Sequence, residues 1–170
     1  MPLQAVGRDL FLRDPEAHAS AVALARIQLS SLSCFYPEFD LWFKNKVEAG
    51  LASGERTLLL RNVGEHVAGV AILKHDAHES KLCCLRVLPR FNGSGVGLKL
   101  FEDSFDALDT DRPLLTVSAE HLPHFKRVFD HFGFGHVRDY IDFYRKGVIE
   151  HSFNGVLKTT HGDELPPTPK

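Results

Sequence analysis

The sequence predicts a mixed α+β domain whose central sheet is mostly antiparallel. Three observations support this fold class: helical patterns come first, two apolar runs then flank a short turn, and a strand–helix–strand–helix–strand series follows. Helices before a hairpin are not typical of a doubly wound parallel sheet, in which strands and helices alternate throughout. The chain has 170 residues, 44% of them hydrophobic, which is enough for one core. We therefore predict a single domain over residues 1–157 and a disordered, proline-containing tail over 158–170.

The first third of the chain is predicted to be mainly helical. Leu10-Phe11-Leu12 is predicted as a short first strand. Asp14-Pro15-Glu16 then marks a helix start, because Asp is a favoured N-cap and Pro is tolerated in the first turn. This helix continues over Ala17–Leu32. A second helix, Glu38–Leu51, has apolar residues at helical spacing and ends before Gly54.

The second part of the chain is predicted to alternate between strands and helices. Thr57–Val63 and His66–Lys74 form an antiparallel hairpin. The later elements are a strand at Lys81–Leu88, a helix at Gly95–Leu108, a strand at Leu114–Ser118, a helix at Leu122–Phe132 ended by Gly133, and strands at Tyr140–Tyr144 and His151–Val156. This order places a helix directly after the long strand at 81–88.

The net charge and the cysteines limit the cellular location and the binding partners that we expect for the protein. Lys+Arg 20 against Asp+Glu 22 gives a net charge of −2, which argues against a broad nucleic-acid or anionic membrane surface. The N-terminal residues carry charges where a signal peptide needs an apolar run, and no stretch approaches the roughly 18 apolar residues of a transmembrane helix. Of Cys34, Cys83 and Cys84, the adjacent two would point to opposite faces of a strand. We therefore expect reduced thiols, a cytoplasmic protein and no membrane partner.

The most informative segment joins the strand at Lys81–Leu88 to the helix at Gly95–Leu108. Pro89 is followed by glycines at 93, 95 and 97. Glycines allow backbone N–H groups to approach an anion, and the unpaired N–H groups at a helix start favour the same negative charge. We predict that residues 92–97, called the glycine loop below, bind a phosphate group.

Two common phosphate-binding motifs do not fit the glycine loop. A Walker loop requires Gly-Lys-Ser/Thr, whereas Leu98 follows Gly97 and Leu100 stands where a hydroxyl would bind magnesium. A dinucleotide fingerprint requires Gly-x-Gly-x-x-Gly in an opening βαβ unit, whereas this loop follows an antiparallel hairpin. A glycine-rich turn from strand to helix that binds no ligand is the remaining alternative.

The segment resembles the pyrophosphate loop of the GCN5-related N-acetyltransferase (GNAT) superfamily, which reads Gln/Arg-x-x-Gly-x-Gly/Ala after a strand ending in Val-x-Pro. The residues here are Val87-Leu88-Pro89-Arg90-Phe91-Asn92-Gly93-Ser94-Gly95-Val96-Gly97. Registered on Pro89, the loop is Asn92-x-x-Gly95-x-Gly97, with Asn in place of Gln or Arg. A second register, Arg90-x-x-Gly93-x-Gly95, matches the motif literally but shortens the gap after the proline. The resemblance covers about residues 57–146.

A second patch supports the resemblance. The family's late helix usually carries Tyr, three residues and Gly-Phe, and this chain has Phe129-Asp130-His131-Phe132-Gly133-Phe134. The resemblance implies helices on both faces of the sheet and two strands that splay apart around the coenzyme. It implies acetyl-coenzyme A as the cofactor and transfer of its acetyl group to a primary amine by direct attack in a ternary complex. The residues implied to bind the coenzyme are Leu85, Val87, Asn92, Gly93, Ser94, Gly95, Val96 and Gly97.

The chain departs from the family at the general acid. The usual tyrosine is replaced by Phe129, which cannot donate a proton. Candidate substitutes are Ser118, Glu120 and Tyr144, although Ser118 and Glu120 also suit capping positions at the next helix. The alternative function is a non-catalytic acyl-CoA-binding or regulatory module that has lost its acid.

The acceptor and the assembly are less well defined by the sequence. We expect a small-molecule or peptide amine as acceptor and no clear nucleic-acid partner, and a homodimer through the late strands is one possibility. His121 and His124 have metal-like spacing, but no third ligand is evident, so we expect no metal. Cys83 and Cys84 are interpreted as apolar core residues rather than as nucleophiles.

Overall fold

The computed structural model describes residues 2–158, and over this range it contains seven strands and six α-helices. The strands are β1 (Leu3–Val6), β2 (Arg56–Val63), β3 (His66–Asp76), β4 (Glu79–Val87), β5 (Leu115–Ser118), β6 (His136–Ile141) and β7 (Ile149–Phe153). The helices are α1 (Arg8–Arg13), α2 (Pro15–Leu29), α3 (Phe39–Trp42), α4 (Ala49–Ser53), α5 (Val96–Leu108) and α6 (Leu122–Phe132). Short 3₁₀-helices occupy Ser30–Cys34 and Pro89–Phe91, and a π-helix joins α3 to α4 at Phe43–Glu48.

Strands β1 to β4 form an antiparallel sheet in chain order. Their apolar residues alternate between the two faces, as pleated strands require. Leu58 and Leu60 of β2 belong to a core shared with α2, α3, the π-helix and α4, whereas Leu59 belongs to a second core shared with α5 and α6. The sheet therefore lies between two layers of helices. The predicted α+β class, with helices on both faces of a mostly antiparallel sheet, is confirmed.

The last three strands form a second antiparallel sheet in the order β5-β7-β6. It meets the first sheet through a parallel bridge between Lys81 of β4 and Leu114, the residue before β5. Here the Leu82 N–H donates to the Leu114 carbonyl at 2.9 Å, and the Leu114 N–H donates to the Ser80 carbonyl at 3.0 Å. Past this bridge the described parts of β4 and β5 pair no further, so the two strands splay apart.

Most of the predicted elements occur in the structure with altered ends. The hairpin is β2–β3, the long strand is β4, and α6 covers the predicted range Leu122–Phe132. The Asp14 side chain caps α2 by accepting the Ala17 N–H at 2.9 Å. Gly133 ends α6 in the left-handed region at φ +66°, where a glycine has no steric penalty. The terminal signals in the sequence therefore act as the capping rules predict.

Two predictions in the N-terminal third are wrong. Leu10-Phe11-Leu12 lies in α1 rather than in a strand, and Leu12 remains 66% exposed. The first strand is instead β1, whose burial is confined to Val6, so its sequence carries no clear alternation of apolar and polar residues. The helix predicted at Glu38–Leu51 is interrupted by the π-helix. The i→i+5 hydrogen bonds of a π-helix cannot be recognised from the spacing of apolar residues.

The late strands also differ from their predicted ranges. Strand β6 begins at His136 and ends at Ile141, because the chain then turns at Asp142, which has φ +59°. Tyr144 therefore lies in the β6–β7 loop and not in a strand. Strand β7 is Ile149–Phe153 rather than His151–Val156.

No helix within residues 2–158 is long and apolar enough to cross a membrane. The predicted disordered tail lies outside the described residues except for Lys158.

Candidate active site

A cleft of about 450 Å³ lies where β4 and β5 splay apart. One wall is formed by residues 82–87 of β4, and the opposite wall by residues 115–117 of β5. Aromatic side chains also line it: Phe35, Tyr36, Phe39 and Trp42 from the α2–α3 region, and Phe125 and Phe129 from α6. The result is a mostly apolar cavity with a few polar groups, which is typical of a small-molecule site.

The β4 wall is shaped by a β-bulge. The register between β3 and β4 shifts between Ile72 and Leu73, so that Cys83 is an extra residue between Leu82 and Cys84. A bulge bends its strand and re-aims the residues that follow. On the far side β4 pairs with β3, whereas its cleft-facing edge has lost β5 as a partner. The backbone of residues 84–87 therefore borders the cleft without a neighbouring strand on that side.

The glycine loop lies at the end of this wall and leads into α5. Gly93 and Gly95 have φ values of +77° and +81°, a conformation that strains any residue with a Cβ. Gly95 is the N-cap of α5, so the first N–H groups of the helix follow it directly. A Cβ added at Gly97 would lie 3.2 Å from Val87 Cγ2, so the first turn of α5 packs closely on the end of β4. The loop thus presents backbone donors and the positive end of a 13-residue helix beside the cleft.

The residues implied to bind the coenzyme fall into three groups in the structure. Leu85, Val87, Asn92 and Gly97 line the cleft. Gly93, Ser94 and Gly95 lie exposed between Asn92 and α5, and the Ser94 hydroxyl donates to the Phe91 carbonyl at 2.5 Å. Val96 has a fully buried side chain, so only its backbone is available to a ligand. Arg90, the first residue of the second register, instead stacks over the Phe91 ring at 4.6 Å.

The three candidate catalytic residues have different surroundings. Ser118 is buried at the end of β5, and its hydroxyl hydrogen-bonds His121 Nδ1 at 2.8 Å rather than a backbone N–H of α6. Glu120 is half exposed and accepts a hydrogen bond from Arg145. Tyr144 is buried and lines the cleft, with its ring 5.8 Å from that of Tyr36 in an edge-to-face arrangement. Of the three, only Tyr144 borders the main cavity.

Glu150 is a cleft residue that the sequence analysis missed. It lies on β7 opposite Ser118 of β5, and its side chain is 3% exposed. Burial raises the pKa of Glu150 to about 7, although a hydrogen bond from Thr116 and the charges of Lys81 and Arg145 oppose the shift. A carboxyl group that titrates near neutrality inside a cleft is suited to accept a proton. The signal in the sequence was weak, because Glu150 directly precedes the predicted strand His151–Val156 and the pairing of that strand with β5 was not predictable.

Tyr36 is a further polar residue of the cleft, and its environment is specific. It lines the cleft, and its pKa is raised because burial and the nearby carboxylate of Glu150 both disfavour a phenolate. Tyr36 therefore retains its proton. Tyr36, Tyr144 and Glu150 form a group of neighbouring polar side chains in the wall of the cleft, of which Tyr144 and Glu150 are buried and Tyr36 is partly buried.

Two further groups define the cavity chemically. Burial raises the pKa of Cys84 to about 12, so this thiol is a poor nucleophile despite lining the cleft. The indole Nε1 of Trp42 is buried and has no hydrogen-bond partner among the described residues. An unpaired buried donor in a cavity wall is costly unless a ligand or water satisfies it.

The sequence of the chain also identifies its family. The model of the acetyltransferase (GNAT) domain matches residues 30–152, which is well over half of the chain and includes the glycine loop and both walls of the cleft. The protein belongs to the GNAT acetyltransferase family. No curated protein sequence matches the chain.

Solved structures have the same fold as this GNAT protein at low sequence identity. A protein assigned to the GNAT family from Desulfovibrio desulfuricans has a TM-score of 0.65 and 18% identity, covering 89% of this chain and 97% of that one. A Bacillus subtilis acetyltransferase in complex with CoA has a TM-score of 0.53 and 15% identity, covering 65% and 82%. A protein assigned as a streptothricin acetyltransferase from Bacillus anthracis, in complex with acetyl coenzyme A, has a TM-score of 0.54 and 10% identity, covering 62% and 66%. At these identities the likeness shows the fold alone.

Phe129, which the resemblance aligned with the family's usual tyrosine, is a buried aromatic side chain in the structure. Phe129 is 4% exposed, and its ring lies 4.7 Å from that of Phe153 and 5.7 Å from that of Phe125. It lines the cleft from α6 but carries no polar atom. Phe129 therefore contributes only an apolar surface to the cleft.

Proposed function

We propose that this protein is an acetyl-CoA-dependent N-acetyltransferase that moves an acetyl group to a primary amine by direct attack in a ternary complex. The observation that carries the proposal is the splay of β4 and β5 beside a glycine loop at the start of α5, within one cleft. The cleft also contains a buried carboxyl group with a pKa of about 7. The proposed catalytic unit is the single domain over residues 1–157.

The residues of the cleft fit the coenzyme. The unpaired edge of β4 at Leu85 and Val87 offers backbone groups to the amides of the pantetheine arm, in the manner of an added strand. The N–H groups of residues 93–97 suit the pyrophosphate, since they combine glycine backbone with a helix N-terminus. The Asn92 amide lines the cleft and supplies one further donor. When bound, acetyl-CoA supplies the acetyl group as a reactive thioester.

Glu150 is the proposed general base. An amine must be unprotonated to act as a nucleophile, and a carboxylate inside the cleft removes that proton directly or through one water. Its pKa of about 7 makes Glu150 a stronger base than an ordinary glutamate, while a substantial fraction stays ionised at neutral pH. The nearby charges of Lys81 and Arg145 keep the pKa from rising further.

Tyr144 is the proposed general acid that protonates the departing CoA thiolate, and the Tyr36 ring packs edge-to-face against it at 5.8 Å. Both side chains line the cleft, and the raised pKa of Tyr36 keeps that side chain protonated. Glu120 has a positioning role through Arg145, whose charge acts on Glu150. Ser118 has a positioning role through His121, which also contacts Phe35 at a ring distance of 4.8 Å.

The acceptor is proposed to be a primary amine on a small molecule or a peptide, with an apolar or aromatic group next to the nitrogen. The α2–α3 side of the cleft is lined by aromatic side chains, which suit an apolar or aromatic group beside the amine. One solved neighbour of low identity is the streptothricin acetyltransferase assigned from Bacillus anthracis, which is in keeping with a small amine acceptor.

The test combines coenzyme binding with turnover. Calorimetric titration of acetyl-CoA should give saturable binding with one site per chain. Incubation with a panel of amines should then release CoA and yield an acetylated product by mass spectrometry. CoA should be quantified by chromatography, because the exposed Cys34 would react with thiol-specific dyes. An absence of saturable acetyl-CoA binding would refute the proposal.

The alternative is an acyl-CoA-binding module without activity, and Phe129 is the observation that favours it. Tight binding without CoA release across the amine panel supports this alternative. Phe129→Tyr separates the two further. If turnover rises in this variant, a missing acid limits the wild-type enzyme; if turnover is present and unchanged, another group such as Tyr144 already serves.

A further inference from the structure

A second cluster of reactive side chains lies outside the cleft, on the last two strands. It consists of His136 and Asp139 of β6 and His151 of β7. Asp139 Oδ1 is 2.6 Å from His136 Nε2 and 2.7 Å from His151 Nδ1. Potential ligand atoms of all three residues lie within 4.8 Å of one another.

The backbone holds these three residues together in two ways. Asp139 and His151 are directly opposite each other in the β6–β7 ladder, so their side chains leave the sheet on one face. In a regular strand, His136 and Asp139 would point to opposite faces, because they are three residues apart. The register shift between His136 and Arg138 inserts one extra residue, which brings His136 to the side of Asp139. The cluster therefore depends on a bulge.

The ring of His136 also has a fixed support. It packs edge-to-face on Phe153, with ring centroids 5.7 Å apart, and it lies 5.7 Å from the ring of His151. Phe153 is itself buried against Phe129 of α6. The side chain of His151 is 18% exposed, whereas those of His136 and Asp139 are 49% and 50% exposed. His151 is thus held firmly, whereas the half-exposed side chains of His136 and Asp139 have room to change conformation.

We propose that His136, Asp139 and His151 form a surface binding site for a divalent transition-metal ion, with Zn²⁺ as the representative ion. Two imidazole nitrogens and one carboxylate oxygen form a donor set that suits zinc and its neighbours, whereas calcium and magnesium prefer oxygen ligands alone. Three protein ligands leave at least one coordination position for water. The site is separate from the acetyltransferase cleft, and its occupancy does not depend on the proposed function.

The geometry requires only a small adjustment. Ligand atoms about 2.1 Å from a tetrahedral zinc ion lie about 3.4 Å apart. The two Asp139–histidine distances of 2.6 and 2.7 Å must therefore lengthen by less than about 1 Å. The half-exposed Asp139 and His136 side chains can supply this by small χ rotations. Each neutral ring then carries its proton on the nitrogen that does not bind the ion.

Metal titration of untagged protein tests the proposal. Isothermal calorimetry with Zn²⁺ should give one site per chain, and Ca²⁺ should give no binding in the same concentration range. His151→Gln and Asp139→Asn should each weaken Zn²⁺ binding by more than about tenfold. Addition of Co²⁺ should broaden the side-chain NMR signals of His136 and His151 ahead of those of the other histidines.

His131→Gln is the matched control, because His131 is an exposed histidine at the end of α6 and outside the cluster. It should bind Zn²⁺ like the wild type. Far-UV circular dichroism checks that each variant is folded. If His151→Gln fails to fold, Asp139→Asn still tests the site, because it changes only a half-exposed side chain. Stoichiometric Zn²⁺ binding that survives both substitutions, or no Zn²⁺ binding by the wild type, would overturn the proposal.

Discussion

At the scale of single residues, the site is defined by the difference between two acids. Glu120 is half exposed and paired with Arg145, whereas Glu150 is buried next to apolar and aromatic groups. Desolvation penalises the charged form of Glu150 and raises its pKa. Their spacing in the sequence gives no indication of this, because burial is decided by the pairing of β7 with β5. Glu150 is therefore the better candidate for proton transfer, although the sequence analysis singled out only Glu120.

The role of Glu150 as a base predicts a pH-dependent rate. For the wild type, kcat/KM should rise with pH and level off above about 7, since only the ionised carboxylate accepts a proton. Glu150→Gln should lower kcat/KM by at least about 100-fold and remove the inflection. The measurement is CoA release by chromatography from pH 5.5 to 9. Glu65→Gln, in the exposed turn between β2 and β3, is the control and should follow the wild-type profile. A Glu150→Gln profile that keeps the wild-type inflection would contradict the assignment.

The same pKa shift predicts a pH-dependent stability. The folded state binds a proton at Glu150 up to about pH 7, whereas the unfolded chain releases it near the ordinary value of 4.5. The free energy of unfolding therefore falls as the pH rises from about 5 to 8. Glu150 contributes on the order of 3 kcal/mol to this decrease. Glu150→Gln cannot ionise and should lack this contribution. Urea unfolding of both proteins at pH 5 and pH 8 measures the difference; equal pH dependence in the two proteins would show that Glu150 does not carry the shift.

At the scale of elements, the sequence predicted those parts that have local signals. The cap at Asp14, the end of α6 at Gly133 and the strand–loop–helix order around Pro89 depend on residues close in the chain. The bulge at Cys83, the π-helix and strand β1 depend on packing between distant segments, and no local pattern marks them. The side of the cleft formed by β4 and the glycine loop was therefore predictable. The group formed by Tyr36, Tyr144 and Glu150 was not, because three separate segments of the chain contribute to it.

Alanine substitutions at two glycines should separate an effect on protein stability from an effect on acetyl-CoA binding. Gly95 and Gly64 both have positive φ values, +81° and +61°, and a Cβ at either position would meet no atom within 4 Å. Alanine at either position should therefore cost a similar backbone strain, about 1–2 kcal/mol of unfolding free energy. Only Gly95→Ala should also weaken acetyl-CoA binding, because Gly64 lies in the β2–β3 turn, away from the cleft. Urea unfolding and calorimetry measure the two effects, and equal acetyl-CoA affinity in both variants would argue against a role of this loop in binding.

At the scale of the whole molecule, the first sheet separates two cores, and α5 is the element that links the site to the second of them. The N-terminus of α5 carries the glycine loop, while its apolar face contributes Leu100 and Phe101 to the core behind β2 and β3. The helix is also tied to the sheet by a polar contact. Arg61 of β2 donates from Nε and Nη2 to the carboxylate of Asp103 of α5 at 2.7 and 2.6 Å. Positioning of the loop and integrity of the core are therefore properties of the same helix.

Removing the charge of Asp103 on α5 should lower the free energy of unfolding much more than removing the charge of Asp130 on α6. The side chains of the Arg61–Asp103 pair are 10% and 13% exposed, whereas those of Lys126 and Asp130 on α6 are 67% and 64% exposed. Asp103→Asn removes the carboxylate charge that receives two hydrogen bonds from a largely buried guanidinium and should lower the free energy of unfolding by about 3 kcal/mol. Asp130→Asn removes a solvent-screened partner and should change it by less than about 0.5 kcal/mol. Urea unfolding at pH 7 measures both. Similar losses in the two variants would mean that α5 is held to the sheet by its apolar face alone, and that the ion pair contributes no more than a surface contact.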